Sequence, residues 1–167
     1  TDTDTDTDTD TDTDTDTDNA ESIDFSPTAG TWVVQALDTL SDECGVSEMS
    51  DDGGPGSTLQ LTHTGTNNFQ MVYDDGGQTM DCEIENEEGE FACSLALSED
   101  TTAQDLGLDC LILIEIISSG QFSSEGDGLI NSVINMVGEG DGCSLLDMVG
   151  ITLPCEMVTE STVTIEK

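Results

Sequence analysis

Arginine is absent from this 167-residue chain, and its single lysine, Lys167, is the last residue. Against them stand 38 acidic residues and a formal net charge of -37, so a phosphate backbone meets repulsion from every side and nucleic-acid binding is not expected. Anionic membranes are disfavoured for the same reason, and no apolar run approaches the roughly 20 residues that span a bilayer as a helix. Histidine occurs once, at His63. No G-x-S-x-G elbow accompanies it, and no basic side chain is placed to stabilise an oxyanion, so a Ser-His-Asp hydrolase has no support and the chain reads as non-enzymatic. Any two of the 38 carboxylates could be nominated as a glycosidase pair, which gives that motif no specificity.

The six cysteines, Cys44, Cys82, Cys93, Cys110, Cys143 and Cys155, contain no C-x-x-C pair. Only His63 could assist them in holding zinc, so an even set of this kind reads as a disulfide framework of an extracellular, cell-surface or periplasmic protein. The chain begins at Thr1 rather than methionine, as a processed or trimmed product would.

Residues 1–18 are nine perfect Thr-Asp repeats. Charge repulsion and the lack of large apolar side chains leave nothing to offset the entropy of ordering, so residues 1–22 are expected to form a disordered linker ahead of one domain over 23–167. Fully extended, the repeats would reach on the order of 60 Å at about 3.3 Å per residue, the dimension of a spacer. Alternate aspartates on one face of an extended chain could also gather calcium weakly, but Asp14-x-Asp16-x-Asp18 departs from an EF-hand loop at Asn19 and Phe25. Such Thr-Asp tracts resemble the linkers that follow the lipidated cysteine in surface lipoproteins of myxobacteria and related marine bacteria. That resemblance implies a cell-surface location and a lipid anchor upstream of residue 1.

From Thr58 onward the pattern has period two, broken by the residues hairpins require. Leu59, Leu61 and His63 share one face, and Phe69, Met71 and Tyr73 share the matching face of the next run. A type I′ turn at Asp75-Gly76 sets Met71 opposite Met80 and Phe69 opposite Cys82. A loop centred on Glu87 and Glu88 then sets Ile84 opposite Phe91, Cys82 opposite Cys93 and Met80 opposite Leu95. Directly opposed residues have Cα atoms about 4.5 to 5.5 Å apart, within the span of a disulfide, so Cys82 and Cys93 form the preferred bridge. Loop proximity favours Cys143 with Cys155 next, and elimination leaves Cys44 with Cys110.

An opening strand over Thr31 to Leu37 carries Trp32, Val34 and Ala36 on one face. Cys110, Ile112, Ile114 and Ile116 alternate similarly, as do Met157, Thr159, Ser161, Val163 and Ile165 in a closing strand. Residues 129–137 fit a helical stripe or a strand, and the β-branched residues with the surrounding meander favour strand. The sum is an all-β, antiparallel meander of about eight strands, closing into a small barrel or sandwich and stabilised by disulfides.

Gly30-Thr31-Trp32 in the first strand, followed by a meander of this length, resembles the G-x-W opening of lipocalin and calycin barrels. The resemblance implies a barrel that carries a small apolar ligand, with Trp32, His63, Phe69, Met71, Tyr73, Met80 and Phe91 around it. The other reading has Trp32 plugging the end of a filled core. A cavity of about 300 Å³ or more with an open mouth separates the two. A calcium-dependent adhesion or assembly module is a third reading, because Asp51, Asp52, Asp74, Asp75 and Asp141 lie beside glycines in turn-like segments. Turn chemistry alone also accounts for those residues.

Overall fold

The structure, a computed structural model, describes residues 25–47, 53–73, 78–97 and 109–166. The linker 1–22 and the Asp75-Gly76 turn lie outside the described residues. Eight antiparallel strands pair in chain order into a closed barrel: β1 (Gly30–Asp42), β2 (Thr58–His63), β3 (Asn68–Tyr73), β4 (Thr79–Ile84), β5 (Glu90–Leu97), β6 (Leu111–Phe122), β7 (Asp127–Glu139) and β8 (Cys155–Ile165). Pairing of β1 with β8 closes the sheet on itself and removes both edges, which distinguishes a barrel from a sandwich. Residues 129–137 lie within β7, paired along their whole length with β6. No helix among the described residues is long and apolar enough to cross a membrane.

The register follows from the side chains that must face inward. Met71 pairs with Met80, Phe69 with Cys82, Cys82 with Cys93 and Ile84 with Phe91, so each apolar row meets another on the inner surface. The opening strand departs from simple alternation. Two irregularities in its pairing with β8, between Val34 and Ala36 and between Thr39 and Ser41, each add a residue to β1. The first moves the inward row from Trp32 and Val34 to Leu37 and Thr39, displacing the expected Ala36.

Strand direction gives the barrel two unlike ends. At one end the hairpins 64–67, 85–89 and 123–126 are short and self-capped. Asn86 Oδ1 accepts hydrogen bonds from the backbone N–H groups of Glu88 and Glu90, and Ser123 Oγ does so from those of Glu125 and Asp127. Gly89 has φ +84, and a Cβ there would lie 2.3 Å from the Phe122 carbonyl oxygen, so this turn admits only glycine. At the other end β1 leaves toward β2, β5 toward β6 and β7 toward β8, the last through the longer connection 140–154. That connection contains a 3₁₀ helix, η1 (Asp141–Val149), in a segment whose mix of Gly, Asp, Cys, Ser and Leu carried no period to read.

The three disulfides are Cys82–Cys93, Cys44–Cys155 and Cys110–Cys143. The first is the bridge that the cross-strand register demands. The expected pairings of Cys143 with Cys155 and of Cys44 with Cys110 are incorrect. Barrel closure sets β1 beside β8, bringing the end of the first strand and its Cys44 to the start of the last, a proximity that sequence separation of 111 residues conceals. Cys143 in η1 instead ties to Cys110 at the start of β6, where Gly142 N–H donates to the Asp109 carbonyl at 3.0 Å. Three disulfides fit a protein that folds in an oxidising compartment.

Candidate functional site: a half-filled barrel

The inward rows form two different environments. At the short-turn end Trp32, Phe69, Phe91 and Phe122 are fully buried and interlock: Phe122 lies 4.9 Å from Trp32, 4.7 Å from Phe91 and 5.9 Å from Phe69, centroid to centroid. Leu59, Leu61, Met71, Ile84 and Ile130 complete this plug. The segment ahead of β1 seals it from outside. Phe25 packs against the cluster, Pro27 is buried, and the Trp32 indole N–H donates to the Thr28 carbonyl at 2.9 Å. His63 continues the inward row of β2 beyond the plug and is exposed, its ring within 3.3 Å of the Ser26 hydroxyl. It joins the N-terminal segment to the sealed end.

At the long-loop end the barrel is hollow. A cavity of about 350 Å³ is lined by Val34, Leu37 and Thr39 of β1, Tyr73 of β3, Met80 of β4, Leu95 of β5, Ile116 and Ser118 of β6, Ser132 and Ile134 of β7, and Met157, Thr159 and Ser161 of β8. Ser47, Gly53 and Gln78 stand at its mouth, on connections between strands. No charged side chain is among these lining residues. Over the β6 and β7 sector, η1 forms a roof: Leu146 is fully buried with Ile112, Cys110 and Ile151, and Ile114, Met136 and Leu153 pack beneath.

Asp42 shapes the rim at the end of β1. Its carboxylate accepts backbone hydrogen bonds from Gly45 at 2.7 Å, Val46 at 3.4 Å and Ser47 at 2.8 Å. These bonds, with one from the Ser47 side chain as the largest contributor, hold its pKa down to about 2. The turn so fixed contains Cys44 and delivers Ser47 to the mouth. On the opposite wall, burial pushes the Tyr73 phenol up from its ordinary value, leaving it neutral and able to donate.

Of the seven residues nominated around a ligand, Tyr73 and Met80 line the cavity. Trp32, Phe69, Met71 and Phe91 belong to the plug beneath it, and His63 lies outside the sealed end. The remaining lining comes largely from β1, β6, β7 and β8. Met157, Thr159 and Ser161 stood on one face of the predicted closing strand, whereas Ser118 and Ser132 carry no motif and become visible only through barrel closure. The calcium candidates Asp51, Asp52, Asp74 and Asp75 lie outside the described residues, and Asp141 is exposed at the start of η1. Among the described residues no group of three acidic, histidine or cysteine side chains is arranged to hold a metal ion.

Comparison of the chain with protein-family models, curated proteins and solved structures finds no match. The likeness to lipocalins therefore rests on architecture: a closed eight-stranded antiparallel meander with a Gly-x-Trp first strand, sealed at one end.

Proposed function

We propose that this chain is a non-enzymatic, exported binding module that carries a small, largely apolar ligand inside its barrel. The observation behind this reading is the cavity of about 350 Å³ between the aromatic plug and the mouth, within the range of about 300 to 1,000 Å³ usual for small-molecule sites. A module with a purely structural role gains nothing from a void there, since each missing contact lowers stability. The walls supply apolar contact from Leu37, Met80, Leu95, Ile116, Ile134 and Met157, while the two methionines adapt to irregular shapes. Three disulfides support an oxidising location, and the nine Thr-Asp repeats support attachment to a cell surface through a spacer.

Native mass spectrometry of freshly purified protein, before and after organic extraction, tests the reading. The expected result is a bound species of a few hundred daltons that extraction removes. Protein that is empty as isolated and takes up no apolar compound on incubation would reject the carrier.

A further inference from the structure

The cavity wall is chemically lopsided. On β3, β4 and β5 it presents Tyr73, Met80 and Leu95, whereas β6, β7, β8 and β1, beside apolar side chains of their own, place four hydroxyls side by side. The register connects them in a row: Ser118 pairs with Ser132, Ser132 with Thr159 and Thr159 with Thr39. Ser161, one inward step deeper than Thr159, also lines the cavity. Ser118 and Ser161 are at least nine-tenths buried, whereas Ser132 and Thr159 are half-buried and Thr39 is exposed, so the hydroxyls lead from the floor of the cavity, close above the plug, out to its rim.

Buried hydroxyls need partners. Ser118 and Ser132 hydrogen-bond each other at 2.8 Å, which consumes one of their two protons and leaves the other free to donate. Ser161, itself nine-tenths buried, lines the same void. The void is thus equipped at its deep end for one or two hydrogen bonds, and among the described residues no charged side chain lines it.

We propose that the cavity selects uncharged amphiphiles, holding a hydroxyl or carbonyl group of the ligand against Ser118, Ser132, Thr159 and Ser161 with the apolar body along the Met80 and Leu95 wall. This specificity rests on the carrier reading. A carboxylate at the same point would be desolvated without a counter-ion, because the chain has no arginine and its one lysine is terminal. The net charge of -37 repels it further. A fatty alcohol and a fatty acid of equal length should consequently differ widely, the reverse of a site built around a cation.

Displacement of bound N-phenyl-1-naphthylamine, a neutral fluorescent probe, by 1-decanol, decanoate and hexylbenzene at pH 7 tests this. Decanol is expected to compete at least tenfold better than decanoate. Ser132→Ala/Ser161→Ala should weaken decanol about tenfold, the worth of one to two hydrogen bonds, and leave hexylbenzene unchanged. Thr159→Val, which keeps the side-chain shape, should weaken decanol alone by a smaller factor and serves if the double variant fails to fold. Decanoate competing as well as decanol, or hydroxyl removal affecting all three competitors alike, would overturn the proposal while leaving a carrier in place. Failure of the probe to bind at all would overturn the carrier itself, and the specificity with it.

Discussion

Phe122 shows how much of this fold depends on single side chains. It touches Trp32, Phe69 and Phe91 at the closed end and is itself fully buried. Phe122→Ala should cost about 3 to 5 kcal/mol in urea unfolding. Ile117→Ala, on the outer face of the same strand and 43% exposed, should cost much less. Asp42 acts through charge instead. Its folded pKa of about 2 lies below its ordinary value, so the stability it contributes is complete above about pH 4 and is lost as pH falls through about 2. Asp42→Asn should therefore lower the Tm at pH 6, and the gap between variant and parent should narrow steadily between pH 4 and pH 2. A constant gap would assign the effect to something other than the carboxylate.

Strands were readable where their neighbours in sequence are also their neighbours in space. Met71 against Met80 and Cys82 against Cys93 follow from period two and short connections, and the second pair carries its disulfide. The extra residues in β1 were not readable, because nothing in Gln35 or Leu40 announces a bulge, and so Leu37 rather than Ala36 reached the interior. The Cys44–Cys155 and Cys110–Cys143 bridges depend on barrel closure and on the unforeseen η1. Their energetic weight is correspondingly non-local. Chain entropy assigns about 4.7 kcal/mol to closing a loop of about 100 residues and about 3 kcal/mol for about 15. Removing Cys44–Cys155, which spans 111 residues, should thus lower the Tm more than removing Cys82–Cys93, which spans 11. Paired serine variants compared by calorimetry would show the order directly.

At the scale of the whole molecule, two properties stand apart from any single element. A net charge of -37 with almost no compensating cations makes the folded state repel itself, and salt screens that repulsion over about 10 Å at 0.1 M. The Tm should rise on moving from about 10 mM to 1 M sodium chloride, where a protein held by ion pairs would lose stability instead. The second property is the division of one continuous inner surface into a plug and a cavity. Sequence presents Phe69, Met71 and Tyr73 as one apolar row, yet the structure buries the first two and gives the third to the void. Filled and hollow barrels share that pattern, since both need apolar inner faces. What separates them is how far the large side chains reach along the barrel, and here the phenylalanines and Trp32 all fall at one end.

The hollow end carries the functional account, and filling it is the direct test. Ile134 points into the cavity, whereas Ile117 on the neighbouring strand is exposed on the outer face. N-phenyl-1-naphthylamine titrated into the parent protein should show saturable, one-to-one fluorescence enhancement. Ile134→Trp should abolish it while retaining a cooperative melt, and Ile117→Trp should leave it intact. Equal probe binding by the parent and the cavity-filled variant, or no saturable binding by the parent, would contradict a ligand carried inside this barrel.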